Sequence, residues 1–291
     1  MKENQEDPGR GSSSNPPQNC PQSPVGSRPQ SHPRAQWAGR SLLWTYTTSI
    51  FRSILCWIIV AVYWSAFIVV YGITFKKLPE RWVTAAIRFW GHLLLWVAGI
   101  KLRLDNPSTL EDRLSRVVVV NHQSALDILW GAAIIPEGAL AIGKKEVIYI
   151  PFLNLLWWLF GFIRIDRSNS KKAHQGLAHV ATLLRTEARS LIIAPEGTRA
   201  PTSTMLPFKK GAFRIAIEAQ APIYPVVVSG AVELWPKSRL LPLPGEIRLR
   251  FLTPIPTSGL TLQNLDDLMT KVRSEMEAAL HSLEKNAAPQ N

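Results

Sequence analysis

Residues Arg116-Val117-Val118-Val119-Val120-Asn121-His122-Gln123-Ser124-Ala125-Leu126-Asp127 decide how the rest of the chain folds. The four valines are too β-branched and too few for a helix. No polar side chain divides them, so they read as a strand buried on both faces, as in a parallel sheet. The strand stops at Asn121-His122. Residues 124–130 then read as a helix, with Ser124 as candidate N-cap and Asp127 suited to the positive dipole end. A histidine thus stands at the carboxyl end of a strand, the edge where open α/β sheets hold their ligands.

His122 and Asp127 are five positions apart, so on one continuous helix they would not share a face. They meet only if His122 lies in the loop ahead of the helix. From there Asp127 can accept from one ring nitrogen, fix the tautomer, and leave the other nitrogen to take a proton from a hydroxyl. Such a pair is the base and orienter of a triad without its serine, and the nucleophile is then the substrate's own alcohol. A helix cap beside a dipole carboxylate would use the same residues, and the spacing alone leaves both readings open.

Around this stretch the elements alternate. Residues 100–104 (IKLRL), 139–142, 163–165, 191–194, 223–228 and 247–252 read as strands. Helices are expected over 171–189, capped by Ser170 and with Ala173, Leu177, Val180 and Leu184 on one face, over 211–220, and over 262–285. Strand and helix in alternation argue for an α/β fold with a mostly parallel sheet flanked by helices.

The N-terminal third is different. Residues 1–36 are rich in Pro, Ser, Asn, Gln and Arg with little to bury, and are expected to be a disordered tail. Residues 37–99 are expected to hold membrane-associated helices, leaving 100–291 for the α/β domain. Residues 54–75 (ILCWIIVAVYWSAFIVVYGITF) carry no charge and, at helical rise, extend about 30 Å, enough for a bilayer. Basic residues flank this run on both sides, Arg40 and Arg52 before it and Lys76, Lys77 and Arg81 after it, so charge bias gives no orientation. Residues 79–100 form a second apolar helix in which Trp82, Trp90 and Trp96 alternate with Arg81, Arg88 and His92, a pattern suited to the headgroup boundary. An ordinary core helix would carry many of the same apolar residues.

The net charge of +12 calls for an anionic partner, and eleven tryptophans with 46% hydrophobic residues favour lipid over nucleic acid. The basic residues are scattered through apolar segments rather than gathered with stacking aromatics, which argues against a nucleic-acid groove. Two cysteines, Cys20 and Cys56, make neither a disulfide framework nor a metal cluster. His174 and His179 lie on a polar helix surface, where solvated histidines are the rule.

A second cluster of chemistry follows the 191–194 strand. Pro195-Glu196-Gly197-Thr198-Arg199 offers a glycine for close approach, a hydroxyl, and a guanidinium that can fork onto oxygens, so it suits a phosphate. Glu196 is odd beside an anion, and either steadies Arg199 or meets a substrate hydroxyl. Lys144 follows the 139–142 strand, Arg164 and Arg167 flank the end of the next, and Lys209 and Lys210 begin a helix against its dipole. Converging on one sheet edge beside His122, these would make a phosphate pocket.

Four blocks, Asn121 to Asp127, Gly161-Phe162-Ile163-Arg164-Ile165-Asp166-Arg167, Glu196 to Arg199, and Ala221-Pro222-Ile223-Tyr224-Pro225-Val226-Val227, resemble in order those of the glycerolipid acyltransferase family, and within it the 1-acylglycerol-3-phosphate acyltransferases. The resemblance implies His122 as general base and Asp127 as its partner. It implies a phosphate site from Glu196, Gly197, Thr198 and Arg199, with Lys144 and Arg167 contributing, and a structural role for Pro225. No bound cofactor is implied. The co-substrate would be an acyl thioester of coenzyme A or acyl carrier protein, the lipid partner lysophosphatidate, and the product phosphatidate. Residues 151–158 (PFLNLLWW) are similar to the family as well. Other acceptors, namely glycerol-3-phosphate, a larger lysophospholipid or an acylated amino acid, keep the same site, and a noncatalytic binder of acidic membrane surfaces would use only the charge and tryptophans. With no sorting signal and few cysteines, the expected location is a membrane, specifically a bacterial inner membrane with the domain facing the cytoplasm.

Overall fold

Strand β2 (Arg116–Val120) is buried at every position, and its alternation accounts for the four valines. Val117 and Val119 enter one apolar cluster, Val118 and Val120 another on the opposite face. That is the requirement of a central strand with helices above and below. The structure is a computed structural model and describes residues 42–74, 78–107, 114–144, 163–165 and 170–287. The tail 1–36, the 151–158 stretch, Lys76, Lys77 and Arg167 lie outside the described residues.

Seven described strands form one sheet in the order β1 (Ile100–Asp105), β7 (Gly245–Phe251), β6 (Ile223–Ser229), β2, β5 (Ser190–Ile193), β3 (Ala139–Lys144), β4 (Ile163–Ile165). From β6 to β4 every neighbouring pair is parallel, as expected. The exception is β7, antiparallel to β6 with Val226 opposite Phe251, and β1 runs parallel to β7. This exception has a consequence for the site. The connection leaving β6 does not cross the sheet but turns back at the same edge where β2 ends, so residues 230–244 stand beside the His122 loop.

One face of the sheet is covered by α4 (Ser170–Thr186), α5 (Gly211–Ala219) and α7 (Leu265–Ala287), which contribute Val180 and Leu184, Phe213 and Ile215, and Val272 and Met276 to the core. Helix α7 buries Leu265, Leu268, Val272, Met276, Leu280 and Leu283, a helical stripe that follows a capping box between Thr261 and Asn264. The other face is covered by α2 (Glu80–Ala98) and α3 (Asp127–Ile134), through Leu95, Ala98, Leu126, Trp130 and Ala133. A short helix, α6 (Ala231–Leu234), follows β6 and has no signature in the sequence pattern.

Helix α1 (Leu42–Ile73) starts well before the apolar run that announces it. Its stretch Thr47–Phe67 is long and apolar enough to cross a membrane. One side leans on α2, where the Tyr63 hydroxyl donates to the Ala86 carbonyl at 2.7 Å, while Phe51, Trp57, Val62 and Ile73 are exposed. Helix α2 has two characters. Trp82, Phe89 and Trp96 face outward, and Val83, Ile87, Trp90 and Leu94 are buried. Its buried side approaches α3 so closely that a Cβ at Gly91 would stand 2.4 Å from the Ala133 nitrogen. Arg88, read from sequence as a headgroup neighbour, instead donates from Nε to the Ile135 carbonyl at 2.8 Å and fastens α2 to the end of α3. Helix α2 therefore belongs to the core of the α/β domain as well as to its apolar surface.

Candidate active site

At the carboxyl end of β2 the chain is anchored before it does any chemistry. Asn121 is buried, and its side-chain amide imitates a strand residue: Nδ2 donates to the Val228 carbonyl at 2.9 Å and Oδ1 accepts the Val228 N–H at 2.7 Å. The end of β2 is thereby locked to β6. His122 follows in a loop, not a helix. Its Nδ1 lies 2.6 Å from Asp127 Oδ2. The turn at residues 125–126 folds the carboxylate back toward the ring, which is how five positions are spanned.

Helix α3 starts at Asp127, three residues later than expected. Ser124 is not its cap. The Ser124 hydroxyl donates to the Trp235 carbonyl at 2.8 Å, tying the loop to the connection after β6, and accepts the Leu126 N–H at 3.3 Å. The hydroxyl's proton goes to a carbonyl across the site, and its oxygen accepts an N–H of the turn ahead of α3 rather than one of the helix itself.

Asp127 is heavily subscribed. Besides the ring nitrogen, Oδ2 accepts the N–H groups of Gln123 at 2.9 Å and Ser124 at 3.1 Å, and Oδ1 accepts Trp130 Nε1–H at 2.8 Å. Four donors aimed at one carboxyl group hold it rigidly. With a carboxylate as acceptor, Nδ1 is the donor nitrogen of the ring and Nε2 keeps a lone pair. The side chain of His122 is 32% exposed against 10% for Asp127. The imidazole is thus open to solvent while the carboxylate that holds it is not.

The second block meets the first through backbone. The His122 N–H donates to Glu196 Oε1 at 2.9 Å, and the His122 carbonyl accepts the Ala200 N–H at 2.8 Å. Glu196 Oε2 accepts the Leu206 N–H at 2.9 Å. With both oxygens on backbone amides and the residue buried, Glu196 is a clasp between the two loops, and neither of the roles read from sequence, a brace for Arg199 or a hydroxyl contact, is seen here. Burial pushes its carboxyl above the usual range, opposed by the hydrogen bonds from Leu206 and His122. Gly197 takes a φ of 71°, which makes the turn. Thr198 is exposed, and Arg199 half-buried. The Arg199 guanidinium has no ion-pair or hydrogen-bond partner among the described residues.

The outlying basic residues divide. Lys210 is neutralised by Asp266 at 2.8 Å. The Lys209 N–H donates to the Pro195 carbonyl at 2.8 Å, which brings the start of α5 against the turn. Lys144 closes β3, with its side chain outside the described residues, as Arg167 is altogether. Sequence reading missed Asn121 as an anchor and Trp130 as a donor to Asp127. The latter had a signal, three positions along a helix from the carboxylate; the former had none, since its partner is 107 residues away.

The family model described as Acyltransferase matches residues 101–229. A 1-acyl-sn-glycerol-3-phosphate acyltransferase of Limnanthes douglasii is 33% identical over 182 residues, 62% of this chain and 64% of that protein. The human 1-acyl-sn-glycerol-3-phosphate acyltransferase alpha is 35% identical over 181 residues, again 62% of this chain and 64% of the relative. A putative 1-acyl-sn-glycerol-3-phosphate acyltransferase of Caenorhabditis elegans is 39% identical over 60% of this chain and 62% of the relative. The chain thus spans a little under two thirds of the length of these relatives. Among solved structures, the 1-acyl-sn-glycerophosphate acyltransferase PlsC of Thermotoga maritima shares the fold, with a TM-score of 0.71 over 86% of this chain and 99% of that chain at 22% identity. Over residues 101–229, this chain is similar in sequence to the acyltransferase family, and its fold is that of the solved acyltransferase.

Proposed function

We propose that the protein transfers a fatty acyl group from an acyl thioester to the 2-hydroxyl of 1-acylglycerol-3-phosphate, giving phosphatidate and a free thiol. The observation that carries the reading is the pairing of His122 and Asp127 at 2.6 Å beside the turn of the unpartnered Arg199. His122 Nε2 takes the proton of the acceptor hydroxyl as its oxygen attacks the thioester carbonyl carbon. Asp127 stabilises the imidazolium that results. When the tetrahedral intermediate collapses, the carbon–sulfur bond breaks and the thiolate recovers the proton from His122. Gly197, Thr198 and Arg199 hold the acceptor's phosphate, Arg199 as a two-pronged donor, with Lys144 and Arg167 as further cations of the acceptor site. Glu196 serves that site from behind, as the clasp that keeps turn and base together.

Helices α1 and α2 seat the domain on a membrane through their outward aromatic and aliphatic side chains, with the catalytic edge toward the cytoplasm. Acceptor and product are both lipids, and withdrawing an acyl chain into water would cost ~0.8 kcal/mol per CH₂. The expected bacterial inner membrane is one of the cytoplasm-facing membranes that fit this seating. Both coenzyme A and acyl carrier protein thioesters present the same carbonyl, and the donor class is chosen by experiment.

The test is acceptor-dependent thiol release by protein in phosphatidylcholine vesicles. Acyl-coenzyme A and acyl carrier protein thioesters are each offered with lysophosphatidate, glycerol-3-phosphate, a choline lysophospholipid and an acylated amino acid. Lysophosphatidate is expected to drive release, and His122→Ala to abolish it while vesicle binding persists. Undiminished turnover in that variant would end the mechanism, and preference for another acceptor would replace the substrate.

A further inference from the structure

Because β7 is antiparallel to β6, the segment between them returns along the His122 edge, and it is tightly fastened there. The Trp235 carbonyl accepts the Ser124 hydroxyl at 2.8 Å, and the Trp235 indole N–H donates to the Arg239 carbonyl at 3.1 Å. The Arg239 N–H donates to the Pro236 carbonyl at 3.0 Å and closes a turn. Lys237 rides on that turn, exposed to solvent. Its Nζ donates to the backbone carbonyl of Arg199 at 2.7 Å. An ammonium has three N–H donors, so two remain beside the residue whose guanidinium is unpartnered.

We propose that Lys237 is a further cation for the acceptor's phosphate, acting with Arg199. The proposal rests on the phosphate role assigned above to the Arg199 turn. A phosphate monoester at neutral pH carries a charge of about −1.5 to −2, whereas Arg199 supplies a single positive charge and a fork that covers two oxygens. A compact ammonium at the carbonyl of that same arginine matches the remaining charge and the remaining oxygen. Two nearby cations are engaged elsewhere: Lys210 pairs with Asp266, and Arg273 with Glu277 and the Leu206 carbonyl. The fastening of Trp235 to Ser124 also makes this cation part of the catalytic loop's own frame, so phosphate and base are held in one register.

The experiment uses the full chain in phosphatidylcholine vesicles, as wild type, Lys237→Ala and Lys237→Arg. 1-Acylglycerol-3-phosphate is the acceptor, and its 2-deoxy analogue, which lacks the attacking hydroxyl, is the competitive inhibitor. Lys237→Ala is expected to raise both the acceptor KM and the analogue Ki about tenfold, with kcat lowered less than about threefold. Lys237→Arg, which keeps the charge, should stay within about threefold of wild type for both constants. A Ki in Lys237→Ala within about twofold of wild type overturns the proposal. So does a fall in kcat with constant Ki, the mark of a lysine that merely braces the Arg199 carbonyl. Wild type that acylates lysophosphatidate normally while Lys237→Ala leaves Ki unaltered sinks this proposal alone. Wild type that ignores lysophosphatidate sinks the reading of the site with it.

Discussion

The loop from Asn121 to Asp127 and the turn from Pro195 to Arg199 leave the same edge of the sheet on neighbouring strands, but they complete their hydrogen bonding in opposite ways. In the first, Asn121 is spent on Val228, Ser124 on Trp235 and Asp127 on four donors. Only one nitrogen of the His122 ring is left unspent among the described residues. In the second, Glu196 is fully satisfied by backbone, but the Arg199 guanidinium is left without a partner among the described residues. In the proposed reaction the base is preorganised by the protein, whereas the anion site is completed by its ligand. Catalytic groups gain from rigidity before the substrate arrives, and a binding cation gains by not being neutralised in advance.

The contrast breaks first, and most severely, at the orienter. Asp127→Asn cannot accept from all four donors and leaves the ring tautomer unfixed, so kcat should fall about 10³- to 10⁴-fold with acceptor KM little changed, measured by thiol release. The clasp comes next. Glu196→Ala strips a partner from the amides of His122 and Leu206, with an expected stability loss of ~1–3 kcal/mol per unsatisfied buried group and a fall in kcat of about 10²-fold as the base loses its placement. A change confined to acceptor KM would return Glu196 to direct substrate contact. The pH behaviour sharpens this. Burial raises the Glu196 carboxyl in the folded state, so its contribution is fully present below the unfolded value and is lost as pH rises through the raised folded one. Wild type should therefore lose stability relative to Glu196→Gln over that rise, in denaturant titrations at stepped pH.

Arg199→Ala should act on binding, raising acceptor KM about 10- to 100-fold, with Arg199→Lys recovering only part because a point charge cannot fork. The smallest effect lies outside both loops, at the start of β7. Glu246 on β7 lies between Arg103 and Arg248 at 3.0 and 2.7 Å. Burial works to raise its carboxyl, but the hydrogen bonds from Arg248 and Arg103 outweigh it and hold the carboxyl below the usual range. Its stabilisation is present above the unfolded value and disappears as pH falls through the lowered folded one. Glu246→Gln should cost only about 0.5 kcal/mol at neutral pH, because the pair groups are well solvated, and nothing at low pH.

Much of this was legible from the chain itself. Four valines in a row required two buried faces, and the structure supplies them. The spacing from His122 to Asp127 required a loop before the helix, and that is where His122 lies. The long uncharged run required an environment other than water, and α1 presents it outward. Each of these is a local statement, set by residue type, periodicity and chain geometry within a few neighbours. Helix starts were less legible, as Ser124 shows: a hydroxyl suited to capping a helix donates instead to a carbonyl 111 residues away and accepts only an N–H of the turn before α3.

What the tertiary structure alone decided is which distant groups share the sheet edge. Glu196 looked like a ligand residue until its oxygens were found on the amides of His122 and Leu206. Arg88 looked interfacial until it met the Ile135 carbonyl. Lys237 carried no signal at all, and reaches Arg199 only because β7 pairs antiparallel with β6 and turns its connection back over the site. Sequence determines how each segment prefers to fold, because those preferences are local. Partner choice among buried and edge groups depends on which segments the sheet order brings together, and that order is a property of the whole packed chain.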